Sequence, residues 1–255
     1  MKNELFKLSD AEYFAADAVN ASSLKQFAKS PAHYKAYLNA PNKKTNAFDV
    51  GKLTHSLILE NVEGWEIVEG NRNAKATKEA IAEVEERGRL AIKPGEDDAI
   101  NQMSMSVEAH GLGRYLGQDV KRSELAGFAE DPETGLLLKA KFDYAPSSGS
   151  VLFDLKTCQD ASEREFKWSI KKYGYDIQAA HYLHVAKLCG MDYEQFIFIA
   201  VEKTAPYGTN AIMLDAESME RANHKYRLLL EDFKACKESG DFSQCYGDEL
   251  KEVTL

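Results

Sequence analysis

Between Ser123 and Thr157 three runs with strand character are split by two compact turns. The runs are SELAGFAE, LLLKAKFDYA and VLFDLKT. The turns carry Asp131-Pro132 with Gly135, and Pro146 with Gly149. This punctuation predicts three strands joined by tight turns. After Thr157 the period becomes helical. Ser162 caps EREFKWSIKKY, and YDIQAAHYLHVAKLC ends at Gly190, which suits a helix C-terminus. QFIFIAVEK is an almost continuous apolar strand and so belongs at the centre of a sheet. NAIMLD is a further strand, and a long helix over 216–238 closes the domain. The order β-β-β-α-α-β-β-α predicts an α/β fold, with helices packed on a mixed sheet.

The preceding third reads as mainly helical. Ser22 or Ser23 is placed to cap the run SLKQFAKS, and Pro31 after Ser30 restarts a second short helix. FDVGKLTHSLILE has helical spacing with Gly51 and His55 on one face. Residues 71–89 predict a solvated, charge-rich helix. Residues 96–116 predict another helix, with Met103, Val107 and Leu112 inward. The organisation expected is one domain over 1–255. It has a helical part (1–122), a catalytic sheet with helices (123–215) and a C-terminal helix with its tail (216–255).

With 255 residues and 44% hydrophobic residues, the chain can fill a sizeable core. No window reaches the ~18 apolar residues of a membrane span. The start MKNELFKLSD has no signal-peptide pattern. The cysteines, Cys158, Cys189, Cys236 and Cys245, form no C-x-x-C pair, which argues against structural zinc and for reduced cytosolic thiols. A cytoplasmic, non-membrane protein is expected. The net charge of -9 argues at first against nucleic acid. It is unevenly spread, however. Residues 18–48 hold Lys25, Lys29, Lys35, Lys43 and Lys44 and no acid, while 49–98 and the stretch from Asp215 are acidic.

Alternation puts Asp154 and Lys156 on one face of the third strand and Leu155 on the other. A surface ion pair is one reading of them. The other is a catalytic carboxylate and ammonium delivered at a strand end. Asp143, near the end of the second strand, folds back toward Asp154. Two like charges there favour a cation between them. A hard divalent ion such as Mg²⁺ suits few carboxylates plus phosphate oxygens, and Lys156 could then hold water or stabilise charge on phosphorus. Glu124 is either a third acid or an edge-strand solubilising charge. Gln178 and Tyr182 share a helix face, with Tyr175 one turn earlier, in a core or a supporting role. His55 is either a satisfied core residue or a ligand. Lys25, Lys29 and Lys35 form either a solvated face or a phosphate-gripping entry aided by Ser22 or Ser23.

Taken in order, Gly51-x-x-x-His55, Glu124, Asp143, Asp154-x-Lys156 and Gln178-x-x-x-Tyr182 resemble the PD-(D/E)xK nuclease superfamily, in its RecB-like exonuclease branch. The phrases SSLKQFAKSPAHY, AFDVGKLTHSLILE, LLLKAKFDYAP and YGYDIQAAHYLHVA resemble the RecE (exonuclease VIII) nuclease domain, over about 20–203. The resemblance implies a restriction-endonuclease-like core and a 5′-to-3′ exonuclease on linear double-stranded DNA. The cofactor implied is Mg²⁺, with Mn²⁺ as a substitute. His55, Asp143, Asp154 and the Leu155 backbone carbonyl would be metal ligands. Lys156 would be the catalytic lysine and Glu124 an auxiliary acid. Gln178 and Tyr182 would support the site, and Tyr175 would face the DNA. The basic residues before Asp143 are here Lys139 and Lys141, point charges without a bidentate fork. The partners implied are duplex ends and a RecT-like single-strand annealing protein. A ring-shaped trimer or tetramer and a phage or prophage origin in a bacterial host are also implied. No cysteine precedes Cys158, which argues against the iron–sulfur members of this branch. A non-catalytic DNA-binding or assembly protein of the same fold, and an endonuclease of the same superfamily, are the alternatives.

Overall fold

The computed structural model describes residues 4–40 and 46–246, and of residues 4 and 46–49 the backbone alone. Lys43 and Lys44 of the basic segment lie outside the described residues. The predicted meander forms as β4 (Ser123–Glu130), β5 (Leu137–Tyr144) and β6 (Val151–Cys158). The elements α7 (Glu163–Tyr173), α8 (Tyr175–Leu188), β7 (Gln195–Glu202), β8 (Thr209–Met213) and α9 (Ala216–Ser239) follow in the predicted order. Ser162 caps α7 through the Glu165 N–H. Gly190, just past α8, takes φ +78°, where a side chain would be strained.

The six-stranded sheet runs β1-β4-β5-β6-β7-β8. β6 and β7 are parallel over eight positions, and the other neighbours are antiparallel. Alternation along β7 explains its apolar run. Phe196, Phe198 and Ala200 face the layer built by α2 (Ala21–Phe27), α7, α8 and α9. Ile199 and Val201 face α4 (Asn46–Glu60) and α6 (Glu96–Ala109). The sheet is thus buried on both sides, a restriction-endonuclease-like arrangement with a helical N-terminal part.

Several local expectations are corrected. β1 (Glu4–Lys7) pairs with β4, so β4 is not an edge strand. β2 (Trp65–Ile67) and β3 (Leu90–Ile92) form a small parallel pair within the part read as helical. α5 (Lys75–Glu86) lies between them in the chain. Asn20 caps α2 through the Ser23 N–H, so Ser22 and Ser23 lie inside the helix. Ser30 does cap α3 (Pro31–Asn39). α6 stops at Ala109, and Leu112 is 39% exposed while Met103 and Val107 are buried.

The end of α4 is fixed by a close approach. Gly117 has φ +70°, and a Cβ there would lie 2.1 Å from the Ile58 carbonyl oxygen. Both backbone strain and backbone clash oppose any side chain. Gly117→Ala is expected to cost at least about 2 kcal/mol, lowering the melting temperature by several degrees. Thermal unfolding by circular dichroism checks it. An unchanged midpoint would show that this turn does not hold α4.

Candidate active site

The seam between β5 and β6 creates the site. Among the described residues these strands keep one paired position, Tyr144 opposite Phe153. Beyond it they part. The Asp143 carboxylate fills the gap and accepts the Leu155 N–H at 2.8 Å, replacing a missing ladder bond. The parted seam opens a cleft of about 710 Å³ that reaches both faces of the sheet. From one side α4 brings His55. β4 and β5 bring Glu124 and Asp143. From the other side come Lys156, Gln178 and Lys25. Gly51 lets α4 lie close to β6, because a Cβ there would sit 3.3 Å from Thr157 Oγ1.

Two groups of side chains meet in this cleft. In the first, ligand atoms of His55, Glu124 and Asp143 lie within 4.8 Å of one another. His55 Nδ1 is 3.6 Å from Asp143 Oδ2. Glu124 holds a left-handed φ of +53°, a strained conformation for a side-chain-bearing residue. Its carboxylate pairs with Lys141 at 2.7 Å. Burial, then the neighbouring Asp154, pushes the Asp143 carboxyl well above its ordinary range. Burial, and secondly Lys156, hold the His55 imidazole down at about 3, so it is neutral at physiological pH. A neutral imidazole beside crowded carboxylates is a donor set that fits a divalent cation. In this arrangement His55, Glu124 and Asp143 would hold it.

The second group is a hydrogen-bonded chain. Asp154 has 0% exposure and is ion-paired to Lys156. Gln178 Nε2 donates to Asp154 Oδ1 at 2.6 Å, and Gln178 Oε1 accepts from Lys25 Nζ at 2.7 Å. The Asp154 partner fixes the amide orientation, since a carboxylate only accepts. Burial opposes the Lys156 charge, yet Asp154 and Asp143 hold its pKa above the ordinary value. Lys25 is different: burial first, then Lys156, bring it down to about 7. The Tyr175 ring lies between the two cations, 5.1 Å from Lys25 Nζ and 5.2 Å from Lys156 Nζ.

The sequence-derived candidates therefore separate. The cleft gathers His55, Glu124, Asp143, Leu155, Lys156, Tyr175, Gln178, Tyr182, Lys25, Lys141 and Ser22. Asp154 lies beneath it, facing Lys156 and Gln178, outside the His55–Glu124–Asp143 trio. Ser23 is buried. Lys29 turns to Gln26, and Lys35 lies over the Phe242 ring, both away from the cleft. Lys139 is 3% exposed and donates to the carbonyls of Tyr13 and Ala16. Its expected DNA contact is corrected, because α1 (Asp10–Ala15) covers it. Sequence reasoning missed Asp10 of that helix, which receives both Lys141 and Lys52 at 2.8 Å. Burial raises this carboxyl, but those two lysines outweigh it and hold it at about 2. The Ser9-x-x-Glu12 capping box was the available signal for α1.

Comparisons with known proteins bear on the family and the fold. The family model "PDDEXK-like domain of unknown function (DUF3799)" matches residues 20–247. A search of the curated proteins finds no match. Among solved structures, the "Putative exonuclease" of Eubacterium rectale shares the fold, with a TM-score of 0.65 and 17% identity over 92% of this chain and 88% of its own. The phage related exonuclease of Haemophilus somnus 129PT aligns over 88% of this chain and 96% of its own at 16% identity, with a TM-score of 0.33. By the extent of the family match, the chain belongs to the PDDEXK-like family DUF3799 and carries the fold of the PD-(D/E)xK nucleases.

Proposed function

We propose that the chain is a metal-dependent exodeoxyribonuclease. In this reading it degrades linear double-stranded DNA from 5′ to 3′ and leaves a 3′ single strand. The observation that carries the reading is the meeting of the two groups in one cleft. A trio spaced to hold a cation shares the cleft with a lysine whose charge is maintained by buried acids. Mg²⁺, or Mn²⁺ in its place, is the cofactor proposed; when bound it supplies Lewis-acid charge against a phosphate oxygen. The Leu155 carbonyl is a further proposed ligand, and Asp154 would join it by exchanging its Lys156 contact for the cation.

The chain's own residues do the rest. Lys156 places a positive charge where a phosphate enters and either orients water or stabilises the charge building on phosphorus. Gln178 locks Asp154, and Asp154 locks Lys156, so the ammonium is positioned before DNA arrives. Lys25, Ser22 and Lys141 line the approach, and the two lysines offer hydrogen-bond donors to the phosphate backbone. Tyr182, edge-on to Phe142 at 5.5 Å, braces α8 against β5. The reading extends to a ring-shaped trimer or tetramer, a RecT-like annealing partner, and a phage or prophage origin in the bacterial cytoplasm. Among the described residues no helix is long and apolar enough to cross a membrane.

Duplex DNA with a 5′-blocked end, a 3′-blocked end, or no end at all tests the polarity. With Mg²⁺, the 3′-blocked linear form is expected to be digested and the 5′-blocked form and closed circle spared. Cutting of the circle would replace the exonuclease with an endonuclease. Digestion of the 5′-blocked form would reverse the direction.

A further inference from the structure

α7 presents a surface that the cleft does not use. Phe166 and Ile170 turn inward, leaving Arg164, Lys167, Trp168 and Lys171 on the outer face. Trp168 is 62% exposed and Tyr173 is 50% exposed. Leaving such rings in water forgoes the free energy of burying them. The local charge is also contrary to the chain's. The protein has 41 acidic and 32 basic residues, yet α7 carries four bases, Arg164, Lys167, Lys171 and Lys172, against two acids, Glu163 and Glu165, both in its first turn. Cations and rings are interleaved: Lys171 Nζ lies 5.4 Å from the Trp168 ring and Lys172 Nζ 5.3 Å from Tyr173. Tyr173, about 140° round the helix from Trp168 with Lys172 between them, lies at the end of α7 nearest the cleft, its ring 5.7 Å from Tyr175, which lines the cleft.

We propose that the outer face of α7 is a track for single-stranded DNA leading away from the cleft. Bases stack on Trp168 and Tyr173, while Lys167, Lys171 and Lys172 take phosphates. Single strands fit better than duplex here, since exposed rings need an unstacked base face and a duplex offers only its backbone. The source of the strand rests on the nuclease reading above; the binding does not.

The chain carries its own reporter. Trp65 is 8% exposed, so a fluorescence response to a large ligand comes from Trp168. The full chain is titrated with oligothymidylate in EDTA, where hydrolysis is off. Salt-dependent quenching is expected, and Trp168→Ala should weaken binding, followed by anisotropy of labelled oligomer, about tenfold. Lys171→Glu, a second surface change, should weaken it and flatten the salt slope. Silent Trp168 fluorescence, equal quenching by inorganic polyphosphate, or unchanged affinity in both variants would overturn the track. Duplex digestion with a silent Trp168 sinks the track alone. Quenching in a protein that digests no DNA supports the track and sinks the nuclease reading.

Discussion

Replacing Lys156 by alanine is expected to lower nucleotide release from linear duplex DNA about a thousandfold or more. That is the scale for removing one preorganised charge from a reacting centre. The same change should destabilise the fold. Lys156 is the cation ion-paired with Asp154, which is fully buried. Breaking a buried pair from one side costs about 3–5 kcal/mol, a fall of roughly 10 °C at this chain length. Because Lys156 has its pKa raised on folding, its contribution is complete below the unfolded value of 10.5 and is lost only as pH rises through the folded value. It is therefore in force at neutral pH. The double change Lys156→Met with Asp154→Asn removes both charges and should recover much of the stability but none of the activity. If the double variant regains activity with its stability, the role of Lys156 is structural.

Asp143→Asn should move stability and activity in opposite directions. Burial and Asp154 raise the Asp143 pKa in the fold. An acid with a raised folded pKa weakens the fold as pH rises from the unfolded value of 3.8 through the folded one, so the full penalty applies above the folded value. Asparagine lifts that penalty, and its side-chain oxygen still accepts the Leu155 N–H. In EDTA at neutral pH the variant is expected to gain about 1 kcal/mol, as substitutions that relieve a strained site commonly do. In wild type, Mn²⁺ or Mg²⁺ at a hundred times its dissociation constant should add about 2.7 kcal/mol. The variant should lose most of that gain and at least a hundredfold in activity. Thermal melts with and without metal measure both. A variant that melts below wild type in EDTA yet gains as much from Mn²⁺ would remove Asp143 from the cation site.

How much of this was legible in the sequence depended on element length. β4 through α9 were readable because strands of five to eight residues carry a period and their turns carry proline and glycine. β1, with four residues, and β2 and β3, with three each, are too short for a period to show. Asp154 and Lys156 were legible as neighbours because alternation is local. Glu124 was legible as a third acid because β4 and β5 are consecutive paired strands, whereas His55 was brought to Asp143 by the packing of a distant helix, so only the family resemblance favoured it as a ligand over a core residue. Lys139 shows the converse failure. Alternation places it on the same strand face as Lys141 and Asp143, but only the tertiary fold shows that α1 lies over it. The acidic total likewise concealed the basic outer face of α7.

The most direct test is acid-soluble nucleotide release from uniformly labelled linear duplex, with Mg²⁺, with EDTA, and with Lys156→Ala in Mg²⁺. Release with Mg²⁺ alone, abolished by EDTA and by the substitution, is the predicted result. No release from any DNA end in either Mg²⁺ or Mn²⁺, or equal release by wild type and Lys156→Ala, would contradict the assignment of the β5–β6 cleft as a nuclease active site.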